Sequence, residues 1–240
     1  MQPHQRVFVA LDTPRLVEAR QWVRLLRGSV GGFKVGLELF SSHGPEVVRE
    51  IASGGDAVFV DLKLHDIPST VAGAAAALGR LGVSYFTVHA TGGPVMIRRA
   101  VEAAGEAARA GGGDPPVVLA VTVLTSHDDD ELSAIGLEGP CPAAALRLAE
   151  LARDAGAGGL VCSPHELESL RRAFPGGQLV VPGIRPAGTG RDDQARTATP
   201  GRAVALGADR LVIGRPITRA ADPLAAAIAI AREIEQGHTV

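Results

Sequence analysis

Lysine is almost absent from this chain of 240 residues. It occurs only as Lys34 and Lys63, and the combined Lys and Arg total of 24 leaves 22 arginines. Arginine stays charged and planar, whereas the lysine ammonium is compact and can give up a proton. Both lysines stand where a strand is predicted to end, so we take them as candidates for chemistry. The alternative is that coding bias favours arginine and that two lysines remain by chance.

Cysteine and aromatic residues are also scarce. The two cysteines, Cys141 and Cys162, lack metal-ligand or redox spacing, so we interpret them as packing residues in a reducing compartment. Aromatic residues make up 3% of the chain, which leaves few surfaces on which bases could stack. The formal net charge is −2, so the composition gives no reason to expect a nucleic-acid partner.

Long apolar segments are lacking as well. The run from Leu224 to Ala231 is far shorter than the roughly 20 residues that a membrane-spanning helix needs. The amino terminus enters an apolar strand without the charged start, apolar stretch and cleavage site of a signal peptide. We therefore expect a soluble cytoplasmic protein that has no membrane partner.

The chain does contain a regular alternation of short apolar runs and longer segments of helical period. The predicted strands are Arg6–Asp12, Gly32–Leu37, Ala57–Lys63, Tyr85–Ala90, Val117–Leu124, Gly159–Ser163, Leu179–Ile184 and Arg210–Arg215. The predicted helices begin at about Pro14, Ser41, Pro68, Pro94, Pro142, His165, Thr199 and Pro223. Several of these starts are a proline or a Ser/Thr cap, which helix starts favour. No linker or low-complexity segment divides the chain, so we expect one domain over residues 1–240.

Eight strand–helix units in a chain of this length favour an α/β fold of the TIM (β/α)8 barrel type. An open doubly wound sheet is the alternative, but no GxGxxG turn follows the first strand. In a TIM barrel the active site lies at the carboxyl ends of the strands. The residues at those ends are Asp12, Lys34, Asp61 with Lys63, His89, Thr125, Ser163, Arg185 and Arg215.

Two of these strand ends combine acids with the rare lysines. Asp61 and Lys63 are two residues apart, so their side chains point the same way, into the barrel mouth. Lys34 of the neighbouring strand can reach the same place, which predicts a row of alternating charges that keep each other ionised. A fixed ammonium can protonate carbon and a fixed carboxylate can crowd a substrate anion, which suits decarboxylation. The alternative is a buried salt-bridge network without a reaction, but such networks are weak sources of stability.

A second feature lies at strands seven and eight, where barrel enzymes often bind phosphate. Pro182 and Arg185 precede a glycine-rich stretch, residues 186–194, and Gly214 with Arg215 closes the last strand. Small residues let backbone N–H groups approach an oxyanion, and either arginine can bind it through two parallel hydrogen bonds. The glycines also suit a lid. The alternative is that residues 186–194 form a plain surface loop.

The residues resemble one family closely. The chain is similar to the bacterial type of orotidine 5′-phosphate decarboxylase over essentially its whole length. The matching motifs are Ala10-Leu11-Asp12, Phe33-Lys34-Val35-Gly36, Asp61-Leu62-Lys63-Leu64-His65-Asp66-Ile67-Pro68, Val121-Thr122-Val123-Leu124-Thr125-Ser126, Pro182-Gly183-Ile184-Arg185 and Gly214-Arg215. Six motifs in the same order make this resemblance specific.

The resemblance implies decarboxylation of orotidine 5′-phosphate to UMP without metal or cofactor, in the last step of de novo pyrimidine synthesis. It implies that Lys63 protonates C6 of the pyrimidine, that Asp61 faces the departing carboxylate and that Lys34 binds the ribose. It also implies a homodimer, in which Asp66 enters the partner's site. The further substrate-binding residues that it implies are Asp12 and Thr70 at the ribose, the latter from the other subunit, Ile67 beside Asp66, Thr125 at the pyrimidine, and Pro182, Arg185, Gln194, Gly214 and Arg215 toward the phosphate.

Two alternatives to this function stay open. The first is a sister branch, the magnesium-dependent 3-keto-L-gulonate 6-phosphate decarboxylases and hexulose phosphate synthases. Resemblance to that branch implies an acidic metal ligand at the end of strand two, where this chain has Lys34, although Glu38 follows four residues later. The second is a non-catalytic barrel that binds phosphate through Arg215 and has no use for Lys63.

Other conspicuous residues have simpler interpretations. The acidic run of residues 128–131 is predicted to be the solvated start of a short helix rather than a metal site. His89 is expected to be a hydrogen-bonded core histidine rather than a pocket residue. His165 and Glu168 share a helix face without a third ligand, which argues against zinc.

Overall fold

Parallel strands and helices alternate along the chain. The computed structural model describes residues 1–186 and 197–237. The strands in these residues are β1 (Val7–Ala10), β2 (Gly32–Gly36), β3 (Val58–Leu64), β4 (Tyr85–His89), β5 (Val117–Val121), β6 (Gly159–Val161), β7 (Gln178–Val181) and β8 (Arg210–Ile213). Each strand pairs in parallel with the next, and β8 pairs with β1, which closes the barrel. The predicted TIM barrel is confirmed.

Helices follow the strands on the outside. Those in the described residues are α1 (Leu16–Leu26), α2 (Leu37–His43), α3 (Pro45–Ser53), α4 (Pro68–Arg80), α5 (Gly93–Ala110), α6 (Asp129–Ala134), α7 (Cys141–Asp154), α8 (Leu167–Ala173), α9 (Pro200–Ala205), α10 (Arg215–Thr218) and α11 (Pro223–Gly237). Proline opens several of them, because its fixed φ suits the first helical position and its missing N–H would be unbonded there. Among these helices, none has the length and apolarity that a membrane crossing requires.

Alternation along the strands separates two apolar clusters. On β3, Val58 and Val60 pack in the cluster between strands and helices, whereas Phe59 packs inside the barrel. Successive side chains of a strand point to opposite faces, so Asp61 follows Phe59 on the inner side. Lys34 is turned inward by the same rule on β2. The strand pattern therefore delivers both charged side chains to the inside of the barrel.

Aromatic rings fill the barrel on the amino-terminal side of these charges. Phe8, Phe59 and Tyr85 contact one another edge to face, with ring centroids 5.5 to 6.4 Å apart. Gly32 leaves room for this packing, since a Cβ there would lie 2.6 Å from Phe8 Cε1 and 2.4 Å from the Ala57 carbonyl oxygen. The rings form an apolar layer inside the barrel, on the amino-terminal side of the polar residues.

Most strands end earlier than predicted. The predicted first and eighth strands run to Asp12 and Arg215, but β1 ends at Ala10 and β8 at Ile213. Except for the third, which runs one residue further to Leu64, the other predicted strands also extend one to three residues too far. The residues beyond the strand ends are either buried in the core, as Leu11 and Ile184 are, or line a cavity, as Asp12 and Arg215 do, so composition alone does not mark the strand end.

The segment after β2 also differs from the prediction. A helix was expected from about Ser41, but α2 begins at Leu37 directly after the strand. Gly44, with φ at 65°, ends α2, and Pro45 opens α3. Glycine tolerates this left-handed conformation at little cost, so the chain turns sharply between two short helices. Arg215 likewise opens α10 instead of ending a strand.

Candidate active site

Four charged side chains form a row on β1–β3. Asp12 follows β1, Lys34 is the middle residue of β2 rather than its end, and Asp61 and Lys63 lie in β3 from its middle onward. Lys34 Nζ lies 3.1 Å from Asp12 Oδ1 and 3.7 Å from Asp61 Oδ2. Lys63 Nζ donates a hydrogen bond to Asp61 Oδ1 at 2.9 Å. The alternating row of charges that the sequence predicts is therefore present, with each ammonium beside at least one carboxylate.

Asp61 is the most enclosed carboxylate of this row. Its side chain is 16% exposed, and burial alone would raise its pKa. The charges of Lys34 and Lys63 and the hydrogen bonds from Lys63 and Thr87 oppose that effect, and together they hold the pKa of Asp61 below its ordinary value. Asp61 is thus a fixed negative charge at neutral pH.

Strand β3 is irregular where it carries Asp61 and Lys63. Between the pairs Val60–Phe86 and Leu64–Val88, β3 advances by four residues while β4 advances by two, so the register shifts. Lys63 has φ at 52°, and among the described residues it is the only non-glycine with a positive φ. Irregular strand segments near active sites redirect side chains. The extra length of β3 turns Lys63 toward Asp61.

The charged row lies in the wall of a cavity of about 1000 Å³. The predicted site residues that line it are Asp12, Lys34, Asp61, Lys63, Thr125, Pro182, Arg185, Gly214 and Arg215. A volume of this size is sufficient for a nucleotide. One cavity therefore joins the charges of β1–β3 to the arginines after β7 and β8.

The arginine end of the cavity is built from the segments that follow β7 and β8. Arg185 is buried, and its backbone N–H donates to the Ala198 carbonyl at 3.0 Å. Gly214 precedes Arg215, the first residue of α10. Gln194 and the glycines at positions 188 and 190 lie outside the described residues.

Three predicted site residues stand apart from the cavity of their own chain. Asp66, Ile67 and Thr70 are exposed and follow β3, between the strand and the first turn of α4. Asp66 Oδ1 accepts a hydrogen bond from the Ile67 N–H at 2.6 Å. The cavity lining formed by the described residues includes none of the three.

His89 is hydrogen bonded as predicted, but it is half-buried rather than part of the core. Thr91 Oγ1 and His89 Nδ1 are hydrogen bonded at 3.1 Å, and the His65 ring stacks on His89 with centroids 5.5 Å apart. Burial lowers the pKa of His89, and the nearby charges of His65, Lys63 and His127 lower it further. His89 therefore favours the neutral form beside the charged row.

Other polar residues noted in the sequence have structural roles. Asp128 caps α6 by accepting the Glu131 N–H at 2.9 Å, so the acidic run does begin a short helix. Ser163, two residues after β6, is fully buried and accepts the His165 N–H at 3.3 Å. Over residues 1–186 and 197–237, no three His, Cys, Asp or Glu side chains are grouped so that they could hold a metal ion.

The chain has relatives over nearly its full length. A family model described as "Orotidine 5'-phosphate decarboxylase / HUMPS family" matches residues 5–230. The orotidine 5′-phosphate decarboxylase of Anaeromyxobacter sp. (strain K) is 53% identical over 232 residues, which are 96% of this chain and 99% of that protein. The chain belongs to the orotidine 5′-phosphate decarboxylase / HUMPS family. The enzyme of the same name from Thermobifida fusca is 50% identical over 232 residues, which are 96% of this chain and 96% of that protein.

Solved structures agree with this membership in the orotidine 5′-phosphate decarboxylase / HUMPS family. The crystal structure of orotidine 5′-phosphate decarboxylase from Lactobacillus acidophilus superposes with a TM-score of 0.84 at 38% identity, over 95% of this chain and 98% of that chain. The enzyme from Pyrococcus horikoshii OT3 has a TM-score of 0.75 at 24% identity, over 95% and 99%, which supports the fold alone. The resemblance inferred from six motifs is confirmed at the level of the family.

One polar residue in this decarboxylase-family site was missed by the sequence analysis. Thr87 of β4 is fully buried, donates to Asp61 Oδ1 at 3.0 Å and accepts the Lys63 N–H at 2.8 Å. The available signal was a threonine between the apolar residues Phe86 and Val88, two residues after Tyr85. Threonine is common in strands, so that signal does not by itself indicate a site.

Proposed function

We propose that this chain decarboxylates orotidine 5′-phosphate to UMP and carbon dioxide in pyrimidine biosynthesis, without a metal or cofactor. Family membership and 53% identity to a relative named orotidine 5′-phosphate decarboxylase support the reaction. The observation that carries the chemistry is the charged row of Asp12, Lys34, Asp61 and Lys63 in the wall of one cavity. The row pairs a proton donor with a fixed negative charge.

Lys63 is the proposed proton donor. When the bond between C6 and the carboxyl carbon breaks, its electron pair stays on C6 and carbon dioxide leaves as a neutral molecule. The Lys63 ammonium then transfers a proton to C6, which forms the C6–H bond of UMP, and the resulting amine regains a proton from solvent. A positioned proton donor accelerates such a step by roughly 10²–10⁴-fold.

Asp61 is proposed to face the carboxylate that leaves. Its own negative charge is maintained by its lowered pKa. Repulsion between the two carboxylates raises the energy of the bound substrate and disappears as neutral carbon dioxide forms. The hydrogen bond of 2.9 Å to Lys63 also holds the donor next to this departing group. Asp61 therefore acts on both the bond that breaks and the bond that forms.

Lys34, Asp12 and Thr125 are proposed to position the nucleoside. Lys34 is 8% exposed and bridges Asp12 and Asp61, so its ammonium is fixed between the ribose side and the reacting side of the cavity. Asp12 and Lys34 offer an acceptor and a donor to ribose hydroxyls. Thr125 lines the cavity after β5 and offers a hydroxyl to the pyrimidine.

Arg185 and Arg215 are proposed to hold the phosphate, with Pro182 and Gly214 beside them. Both arginines line the cavity that contains the charged row. A guanidinium binds phosphate through two parallel N–H bonds. Binding energy from this remote group can be used to fix the reacting ring against Asp61 and Lys63, which raises kcat as well as affinity. Gln194, which lies outside the described residues, remains a prediction.

We propose a homodimer in which Asp66, Ile67 and Thr70 of one subunit enter the cavity of the other. Ile67 is 64% exposed, and Leu37 and Val95, after the neighbouring strands β2 and β4, are each 55% exposed. Adjacent exposed apolar residues mark an interaction surface. These three residues follow neighbouring strands, at the same end of the barrel as the charged row, and we propose that a partner bound there places its Asp66 in this cavity, as the family resemblance implies.

A magnesium-dependent reaction of the sister branch is the alternative. Resemblance to that branch implies an acidic ligand at the position of Lys34 on the second strand, and here the Lys34 ammonium lies between Asp12 and Asp61. A cation in this place disfavours a divalent metal. Glu38, in the first turn of α2, lines the cavity and is the acidic residue on which such a site would depend.

A cytoplasmic location is part of the proposal. Both cysteines, Cys141 and Cys162, are buried thiols outside any disulfide bond in the described residues, which is consistent with a reducing compartment. Cell fractionation tests this point, because the decarboxylase activity should appear in the cytoplasmic fraction.

An absorbance assay tests the reaction itself. Purified protein is mixed with orotidine 5′-phosphate, and the loss of ultraviolet absorbance is followed with and without a chelator. We expect the same turnover in both samples. Absence of turnover would exclude the proposed reaction, whereas activity that the chelator removes and magnesium restores would favour the sister branch.

A further inference from the structure

Thr87 connects the two catalytic candidates of β3 through one hydroxyl group. The side chain is buried inside the barrel with 0% exposure. Its oxygen accepts the backbone N–H of Lys63 at 2.8 Å, and its O–H donates to Asp61 Oδ1 at 3.0 Å. A hydroxyl has one donor and two acceptor positions, so both bonds form at the same time.

The first bond holds the backbone of Lys63. A left-handed conformation is unfavourable for a residue with a Cβ, and Lys63 adopts φ at 52°. Between the pairs Val60–Phe86 and Leu64–Val88 the β3–β4 ladder is irregular. Within this stretch the Thr87 hydroxyl supplies a partner for the Lys63 N–H, and buried N–H groups require one. Thr87 therefore stabilises the local conformation that turns Lys63 toward the cavity.

The second bond fixes the rotation of the Asp61 carboxylate. Oδ1 accepts from both Thr87 Oγ1 at 3.0 Å and Lys63 Nζ at 2.9 Å, while Oδ2 faces Lys34 Nζ at 3.7 Å. Rotation of the carboxylate would break these contacts together. Oδ1 therefore stays with the Lys63 ammonium and Oδ2 with the Lys34 ammonium, and these contacts restrict rotation of the carboxylate.

We propose that Thr87 is a positioning residue for the decarboxylation, because it sets the Lys63 backbone and the Asp61 carboxylate in one fixed relation. This inference rests on the proposed function, since it assigns a role in that reaction. Thr87 does not line the cavity formed by the described residues, so it acts through Asp61 and Lys63 rather than on the substrate.

The test compares two variants that differ in the hydroxyl. Thr87→Val keeps the shape and removes both hydrogen bonds, whereas Thr87→Ser keeps the hydroxyl. We expect Thr87→Val to lower kcat by about 10- to 100-fold, as for a lost hydrogen bond to a charged group, with KM changed less than about 3-fold. Thr87→Ser should stay within about 3-fold of the wild type in kcat.

Thr122→Val is the matched control. Thr122 is also buried, at 1% exposure, and its hydroxyl donates to the Val161 carbonyl at 3.4 Å, away from the charged row. We expect this variant to keep wild-type kcat although it also loses a buried hydroxyl. A general packing defect would instead lower the activity of both valine variants.

The outcomes separate this inference from the reaction on which it rests. If the wild type shows no turnover, the proposed function fails. If the wild type is active and Thr87→Val matches Thr122→Val, or if Thr87→Ser is as impaired as Thr87→Val, the positioning role is wrong. Should Thr87→Val not fold, Thr87→Cys replaces it, because a thiol is a weak hydrogen-bond donor. Equal kcat of the Cys and Ser variants would then overturn the inference.

Discussion

Lys63 Nζ lies 2.9 Å from Asp61 Oδ1, two residues away on the same strand. Two residues of strand span roughly 6.6 Å, so the long lysine side chain has to turn back to make this contact. The left-handed backbone of Lys63 and the irregular register of β3 accompany that turn. The proposed proton donor, Lys63, and the negative charge of Asp61 are thus held in one unit whose geometry is set by a single stretch of strand.

The first prediction concerns the pH dependence of stability. Asp61 has a pKa below its ordinary value of 3.8 in the folded state, so its ionised form stabilises the fold above 3.8, and this contribution is lost as pH falls through the lowered pKa. We compare the unfolding free energies of the wild type and Asp61→Asn by urea titration. The unfolding free energy of the wild type relative to that of Asp61→Asn should be constant between about pH 7 and pH 5. It should decrease only below about pH 4. A shift that began near pH 6 would mean that the pKa of Asp61 is raised.

The second prediction concerns Gly36, which leaves space for the Lys34 ammonium. A Cβ at Gly36 would lie 2.8 Å from Lys34 Nζ and 3.2 Å from Asp12 Oδ1. We expect Gly36→Ala to displace the ammonium and to lower kcat/KM by roughly 10- to 100-fold, because catalytic geometry tolerates little displacement. Gly176→Ala is the control, since a Cβ there meets no atom within 4 Å. Steady-state kinetics check both, and equal activity of the two variants would contradict the assigned position of Lys34.

The third prediction tests the shared site by mixing inactive subunits. Lys63→Ala lacks the donor, and Asp66→Asn lacks the carboxylate that we assign to the partner's site. After subunit exchange, a mixed dimer has one cavity with both native residues, so an equal mixture should recover about one quarter of the wild-type activity. The measurement is the rate of the mixture relative to each variant alone.

The control for this mixing experiment uses two residues of one cavity. Lys63→Ala mixed with Asp61→Asn should remain inactive, because each cavity of the mixed dimer then lacks one of the two residues. Recovery in this control, or no recovery with Asp66→Asn after confirmed exchange, would contradict the proposed dimer.

The fourth prediction concerns the phosphate end. Arg215→Ala should lower kcat/KM for orotidine 5′-phosphate by about 10- to 100-fold, because a charge-assisted contact is lost. With orotidine, which has no phosphate, the same variant should differ from the wild type by less than about 3-fold. Arg202→Ala, an exposed position in α9, is the control. Equal losses with both substrates would show that Arg215 does not act through the phosphate.

The fold and the charged row were predictable from the sequence for physical reasons. Buried parallel strands produce apolar runs, and the scarcity of lysine drew attention to Lys34 and Lys63. The irregular register of β3 and the role of Thr87 were not predictable, because both depend on which residue of β4 lies opposite β3. That pairing is a tertiary property, and threonine in a strand has no distinctive local pattern.

The predicted ends of the second and eighth strands were wrong for a related reason. Leu37 opens α2 directly after β2, and Arg215 opens α10 two residues after the end of β8, although both are predicted to end strands. Arg215 lines the cavity and Leu37 is exposed outside it, so the composition after a strand follows the surroundings of each residue rather than the backbone conformation. The site was therefore easier to predict than the ends of the elements that carry it.

The kcat of Lys63→Ala tests the central claim most directly. The variant should bind UMP and unfold with a midpoint near that of the wild type, since Lys63 is partly exposed and carries no core packing. We predict that its kcat for orotidine 5′-phosphate falls by about 10²- to 10⁴-fold, because the proposed proton donor to C6 is lost. A folded Lys63→Ala enzyme with wild-type kcat would contradict the account.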